Sequence, residues 1–264
     1  MPRRPLRAAL SRVLHEPIDA LPVAAITAIA GTQLAIFAGL DDPRAVLLAV
    51  AILFPWQLAL AGMCHNHHHC PTFRHAIANR AFEVVMFFQL GMLPYGYTLH
   101  HNIGHHRHYL DQTIDTNRWR RPDGGTMGSW EFAWRLCLAM YPNVWRIGRG
   151  HPALFRKFRR MACVCLGLFA LLGALDPVNA LLVFALPLPV ALFLQAQATH
   201  HQHAGLTSDD PWRASRSVTD PRYNLRTLNL GYHTAHHLRP GLHWSKLPAL
   251  HERIAARIPP ELVA

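Results

Sequence analysis

The chain alternates between uncharged apolar runs and polar stretches crowded with histidine. Leu21 to Leu40 carries no charged residue, and neither does Ala45 to Cys64. Each run has about 20 residues, enough to cross roughly 30 Å of hydrocarbon as a helix. Between them Asp41, Asp42, Pro43 and Arg44 predict a tight turn. The layout recurs in Met161 to Leu175 and Val178 to Ala198, joined by Asp176-Pro177. The third run is short, but Arg156, Lys157, Arg159 and Arg160 precede it, and long basic side chains lengthen a span by snorkelling. The pattern therefore predicts an all-α integral membrane protein, one domain over residues 1–264. Its four transmembrane helices (about 21–40, 45–64, 161–175 and 178–198) form two hairpins, and residues 65–160 and 199–264 form a helical cap. Pro55 marks a kink point in the second span, and Pro187 and Pro189 lie inside the fourth.

The cap is less regular. Ala81 to Leu93 is apolar but too short to cross, and Glu83 interrupts it, which fits an interfacial or core helix. Asp111, Asp115, Pro122, Asp123 and Gly124-Gly125 predict a loop over 111–129. Trp130 to Ile147 mixes aromatics with Glu131, Arg135 and Arg146, as an amphipathic helix at lipid headgroups does. Residues 205–228 read as a polar loop. The first twenty residues are basic, with Arg3, Arg4, Arg7, Arg12, Pro2, Pro5 and Pro17, and are expected on the membrane surface. The apolar run after them is long for a signal-peptide core and shows no cleavage site, so it reads as a retained anchor.

The formal charge is +11, almost all from arginine; lysine stands only at 157 and 246. Such a balance suits nucleic acid, or a membrane protein with its arginines on one side. The uncharged runs decide for the membrane and against a nucleic-acid partner. Of the 26 lysines and arginines only Arg44 lies in a connector between paired spans. By the positive-inside rule both termini and the histidine clusters face the cytoplasm. Five cysteines with no CxxC give no metal-thiolate motif. Cys163 and Cys165 are small hydrophobes in an apolar run; Cys64 and Cys70 flank the first histidine cluster as weak candidates for thiolate ligands.

Most of the twenty histidines fall in four clusters: HNHHH at 65–69, HHNIGHHRH at 100–108, HHQH at 200–203 and HTAHH at 233–237. His65 and His69 are four apart, as are His101 and His105, while His233, His236 and His237 stand at i, i+3, i+4. On a helix those offsets place imidazoles on one face, about 6 Å apart along the axis. Neutral imidazole is the commonest nitrogen ligand for iron, zinc and copper. Three multi-histidine segments plus His203 supply enough ligands for two metal ions. The glutamate-rich site of soluble di-iron bundles is absent, since none of the five glutamates opens a Glu-x-x-His pair, and so is the HExxH of zinc hydrolases.

The order HxxxH, HxxxHH, a lone QH and HxxHH resembles the membrane fatty acid desaturase and hydroxylase superfamily. The stretches HHNIGHHRHYLD at 100–111 and NLGYHTAHHLRPGLHWSKLP at 229–248 are most similar to bacterial acyl desaturases. The likeness covers roughly residues 45 to 250. It implies four spans with a cytoplasmic cap holding two Fe ions, with O2 as co-substrate. Residue by residue it implies nine metal ligands: His65 and His69; His101, His105 and His106; His203; and His233, His236 and His237. Some members carry an asparagine four residues before the lone histidine, where it reaches a metal-bound water. This chain has Thr199 there, followed by His200, so His200 or Asn229 would take that contact.

Other polar residues have two readings. Asp111, Asp115, Asp209 and Asp210 either orient ligand imidazoles through the second ring nitrogen or cap turns and helices. His67, His68, His100, His108 and His201 are expected beside the ligands or on the surface. His15, His75, His151, His243 and His251 are expected to be ordinary surface or interfacial residues. Trp119, Trp130 and Trp134 either line an acyl channel or anchor the chain at the interface.

The resemblance implies an oxygen-dependent oxidoreductase that introduces a double bond into a fatty acyl chain. Lipid or alkyl hydroxylation and carotenoid ketolation are alternatives within the same superfamily. No flavin, haem or iron–sulfur motif is visible, so a separate electron donor, a ferredoxin or cytochrome type, is implied, and the arginine-rich cap suits an acidic one. A histidine-rich metal transporter is the non-enzyme alternative. Transporters place ionisable groups within their spans, whereas here the histidines sit at the ends.

Overall fold

The structure of the protein, a computed structural model, describes residues 3–206 and 209–264, with side chains from residue 7 onward. Pro2 and the side chains of Arg3, Arg4 and Pro5, expected on the membrane surface, lie outside the described part, as do Thr207 and Ser208 of the predicted polar loop. The described residues form helices in this order: α1 Arg3–Val13, α2 Ala20–Gly39, α3 Pro43–Ala59, α4 Ala61–His69, α5 Ala76–Leu90, α6 Ser129–Gly150, α7 Pro152–Leu175, α8 Pro177–Asn179, α9 Pro187–His203, α10 Pro221–Thr227, α11 His233–Leu238 and α12 Leu247–Ile254. Two wide π turns, Thr98–Ile103 and Ala180–Ala185, interrupt the series. Strand pairing is confined, among the described residues, to isolated bridges such as Leu14 with Phe73.

Four helical stretches are long and apolar enough to cross a membrane: Pro17–Gly39, Pro43–His69, Pro152–Leu175 and Pro177–His203. Their outer faces carry exposed leucine, isoleucine and tryptophan, for example Leu48, Ile52, Trp56, Leu171 and Leu175. Such an apolar exterior suits lipid rather than water. The third stretch starts earlier than the sequence pattern predicts, so Arg156, Lys157, Arg159 and Arg160 lie within its first turns instead of ahead of it. The second and fourth run on through histidine clusters, α4 resuming after a break at Leu60.

The chain divides into two compact units. The first takes in the chain up to Pro94 and Arg159–Ala191; the second takes in Tyr95–Phe158 and Leu192–Ala264. In the first, the apolar core joins Ile36, Val46 and Val50 to Val183 and Phe184, with Phe37, Phe88 and Phe169 packed around them. The two predicted tight turns both form and are capped by aspartate. Asp42 Oδ1 accepts from the Arg44 amide at 3.0 Å, and Asp176 Oδ1 accepts from the Asn179 amide at 2.9 Å. Asn179 Nδ2 then donates to the Phe37 and Leu40 carbonyls, at 3.0 and 2.8 Å. Those carbonyls lie at the end of α2, where the helix leaves acceptors unpaired, so the two turns are stitched side by side.

Three glutamines cross the same unit's interior. Gln33 Nε2 lies 3.4 Å from Gln57 Oε1, Gln57 Nε2 donates to the Gln89 carbonyl, and Gln89 Nε2 donates to the Ile26 carbonyl at 2.9 Å. All three are buried. Glu83 on α5 is 3% exposed, bonded to Arg80 and 3.3 Å from His67 Nε2, in keeping with the core reading of that helix. Removal from water holds its carboxyl above the usual range, against the pull of nearby His68 and Arg80.

The second unit is centred on Trp119, Met127, Phe132 and Ala204. The expected amphipathic helix is α6, longer than predicted at both ends. Ser215, Ser217 and Thr234, all fully buried, meet through their hydroxyls at 3.0 and 3.1 Å. That contact ties α11 to the 214–218 segment. The end of the chain closes over it, with the Ser217 amide on the Leu262 carbonyl at 2.8 Å.

Candidate metal centre

In the first unit α4 presents His65 and His69 one turn apart, as their spacing predicts, with ring centroids 4.9 Å from each other. His67, on the opposite side of α4, uses Nδ1 on Thr72 Oγ1 at 2.9 Å, and His68 Nδ1 sits 2.7 Å from the Cys64 carbonyl. Cys64 Sγ is 3.8 Å from His68 Nδ1, and among the described residues neither Cys64 nor Cys70 falls in a cluster of potential metal ligands.

The second unit holds the other seven predicted ligands. The 101–106 box is not a regular α-helix, as its spacing suggested. A π turn over Thr98–Ile103 leads into tight turns, with the His106 amide bonded to the His101 carbonyl at 2.9 Å and the Gly104 amide to the Leu99 carbonyl at 3.1 Å. Gly104 makes this wide turn possible. A Cβ there would stand 2.4 Å from the His100 carbonyl oxygen and 2.5 Å from Thr116 Cγ2. Thr116 fastens the turn from outside: its hydroxyl donates to the His100 carbonyl at 2.8 Å, and its amide to the Gly104 carbonyl at 3.2 Å.

Because the turn is wide, neighbouring residues His105 and His106 point to different partners. His106 Nε2 lies 3.0 Å from His101 Nε2 and 3.1 Å from His236 Nε2. His105, His203 and His237 form a separate group, their ligand atoms all within 4.8 Å of one another. His233 joins this second group, with its Nε2 2.9 Å from His203 Nε2 and 3.1 Å from His237 Nε2. The unit thus gathers two sets of imidazoles, 101, 106 and 236 in one and 105, 203, 233 and 237 in the other.

Hydrogen bonds behind the rings fix which nitrogen is free. His105 Nδ1 is 2.8 Å from Asp115 Oδ1, both side chains 2% exposed. His203 Nδ1 donates to the Ala214 carbonyl at 2.7 Å. A neutral imidazole has one N–H; with it spent on an acceptor at Nδ1, the lone pair is at Nε2, facing the other rings. Burial and the neighbouring imidazoles push the His236 pKa down to about 3 and hold His237 well below its usual value. Convergent imidazole nitrogens with no thiolate or carboxylate among them suit iron, copper, zinc or nickel. They fit the two-iron expectation in donor type and number.

Of the two readings for the aspartates, Asp115 takes the orienting one. Asp111 caps the turn at Thr113, and Asp210 caps Trp212 at 2.8 Å. Asp209 is exposed. His200 Nε2 donates to the Met127 carbonyl at 2.7 Å, and Asn229 Nδ2 to the Trp244 carbonyl at 3.1 Å. Thr199 Oγ1 donates to the Ala196 carbonyl at 2.8 Å. His243 and His251, expected at the surface, are instead buried, against Ser245 and Tyr232. Trp119 is buried, whereas Trp130 and Trp134 are exposed and pack on Phe193.

Two aromatic residues at the site were not singled out from the sequence. Tyr109 lies over His237 with centroids 4.3 Å apart, and Tyr97 lies 4.6 Å from His101. Both stand four residues from a ligand, Tyr97 before His101 and Tyr109 after His105, and that spacing was the available signal. The Ala214 carbonyl and the Thr234 anchor carry no such signal.

Comparison with curated proteins gives no match, and neither does comparison with solved structures. The family model described as fatty acid desaturase matches residues 43–264, a span that takes in every histidine cluster and three of the four apolar helices. An integral membrane enzyme with clustered imidazoles able to hold metal, acting in the setting of membrane lipid and fatty acyl chains, is what these features describe together, and the chain belongs to the fatty acid desaturase family.

Proposed function

We propose that the protein is an oxygen-dependent di-iron desaturase that introduces a carbon–carbon double bond into a fatty acyl chain. Its nine ligands would be His65, His69, His101, His105, His106, His203, His233, His236 and His237. The observation that carries the reading is the convergence of two separate imidazole sets in the second unit, with Nε2 atoms 2.9 to 3.1 Å apart. Iron bound there supplies the oxidising power, with dioxygen, to take hydrogen from an unactivated carbon. In balance, a CH2–CH2 unit, O2, two electrons and two protons give CH=CH and two waters.

The chain's own residues prepare that chemistry. Asp115 and the Ala214 carbonyl hold His105 and His203 with Nε2 lone pairs inward. Tyr109 packs its ring against His237. The electrons come from a separate donor, of ferredoxin or cytochrome type, and an acidic one suits a chain of charge +11. Both termini and the site face the cytoplasm in a bacterial inner membrane, since 25 of the 26 basic residues lie outside the two short connectors.

The test is expression in a host that lacks the enzyme, followed by mass spectrometry of the extracted lipids. A loss of two hydrogens from an acyl chain is expected. A gain of one oxygen, or a change confined to carotenoids, would assign the chain to another branch of the superfamily.

A further inference from the structure

In the second unit, residues 214–218 bond both to the end of α9, which carries His203, and to α11, which carries His233, His236 and His237. We propose that this short segment is the template that sets His203 against the imidazoles of α11, with Arg216 and Thr234 as its two positioning residues. That role rests on the reading of these histidines as metal ligands.

A helix leaves its last carbonyls without donors of its own, and His203 is the last residue of α9. Arg216 supplies three donors there. Its amide donates to the Gln202 carbonyl at 2.8 Å, and its Nη1 donates to the Ala204 carbonyl at 2.8 Å and the His201 carbonyl at 3.1 Å. The guanidinium keeps its charge and carries its donors in a planar fork, and a cation is favoured at a helix C-terminus. Two residues earlier, the Ala214 carbonyl accepts from His203 Nδ1 at 2.7 Å. The backbone around His203 and the ring of His203 are thus held by the same few residues.

Alternation along the segment serves the other element. Successive side chains of an extended chain point to opposite sides; Ser215 and Ser217 reach α11, while Arg216 between them reaches α9. Ser215 Oγ lies 3.0 Å from Thr234 Oγ1, Ser217 Oγ donates to Thr234 Oγ1 at 3.1 Å, and the Thr234 amide donates to Ser217 Oγ at 3.3 Å. Thr234 stands between His233 and His236, and α11 has only six residues, too few to hold a helix by themselves. Its placement therefore depends on contacts such as these. At the far end the Val218 amide donates to the Gly231 carbonyl at 2.7 Å, and a Cβ on Gly231 would stand 2.3 Å from the Val218 carbonyl oxygen. The free edge of the segment is backed by Leu262 and Ala264, which bond to the Ser217 amide and carbonyl at 2.8 and 2.9 Å. What the template fixes is the approach of His233 Nε2 to His203 Nε2, 2.9 Å.

The experiment is titration of the purified, metal-free full chain in detergent with cobalt(II), an ion that accepts imidazole and reports its surroundings by visible absorption. Affinity and spectrum are read together, and the thermal midpoint of the metal-free chain is measured in parallel. Thr234→Val keeps the shape and removes the hydroxyl; it should weaken cobalt binding by roughly 10–100-fold and alter the absorption bands, whereas Thr234→Ser should stay within about twofold of the parent. Arg216→Gln should weaken binding in the same way. Arg213→Gln, whose side chain pairs with Asp210 and Glu261 instead, should not. If Arg216→Gln does not fold, the two Thr234 variants decide. A lower thermal midpoint with parental affinity and spectrum would make the contacts structural only and overturn the template, and so would equal losses in Thr234→Val and Thr234→Ser. Parental cobalt binding in every variant would reject the template alone. A parent chain that takes up no cobalt would reject the metal reading and the template with it.

Discussion

The carboxylate of Asp115 stands 2.8 Å from Nδ1 of His105, and both side chains are shut away from water. This pair fixes the ring that begins the second imidazole set. Asn117 and Gln112 hold the carboxylate from behind, so the ring's orientation is set by the loop as a whole.

Asp115→Asn should therefore lower metal content and reduce turnover by roughly 10–100-fold, the usual effect of losing a partner behind a ligand histidine. Asp111→Asn should leave both near the parent values, because Asp111 only caps the turn at Thr113. Iron analysis and turnover of the two purified variants decide the matter. Equal losses in both would mean that the loop matters only as a fold.

Gly104→Ala should be more damaging than its size suggests. The added methyl meets the His100 carbonyl and Thr116 at 2.4–2.5 Å, and backbone cannot yield as a flexible side chain can. Overpacking of this kind costs about 1–3 kcal/mol, and here it also displaces His101, His105 and His106. Thermal unfolding in detergent and metal analysis should both fall. A variant with parental stability and full metal would contradict the role given to the turn.

The glutamine series offers a test away from the metal. Gln57→Leu removes the group that binds both Gln33 and the Gln89 carbonyl, leaving polar atoms buried without their partner. A loss of about 1–3 kcal/mol is expected, read as a lower midpoint of thermal unfolding, with metal content unchanged. A midpoint equal to the parent would show that the three glutamines are independent.

Topology gives a further prediction. Reporter fusions at residue 42 and after residue 264 should report opposite sides of the membrane, with the C terminus cytoplasmic. A periplasmic C terminus would remove access to a cytoplasmic electron donor.

Much of this was legible in the chain. Four apolar runs located the four long helices, since length and lack of charge dominate in that class of segment. The resemblance picked the nine predicted ligands out of segments that the histidine spacing had marked; that spacing set His65 and His69 one turn apart, as found. It did not reveal the π turn at Thr98–Ile103, because a one-residue widening is imposed by Gly104 and Thr116, twelve residues apart in sequence. The partners of Glu83 were equally invisible, since Arg80 comes from its own helix and His67 from α4. His243 and His251 look like surface residues in the sequence, but the fold buries them, His243 beside Ser245 and His251 beside Tyr232. The choice of Asp115 over Asp111 depends on which loop carboxylate faces the ring, and spacing says nothing about that.

The central claim is that histidines alone hold a pair of irons. Metal analysis of the purified protein, alongside His105→Ala, His236→Ala and His151→Ala, tests it most directly. Two irons per chain are predicted for the parent and for His151→Ala, with iron and activity lost from the other two. Full iron content in His105→Ala and His236→Ala, or labile zinc in place of iron in the parent, would contradict it.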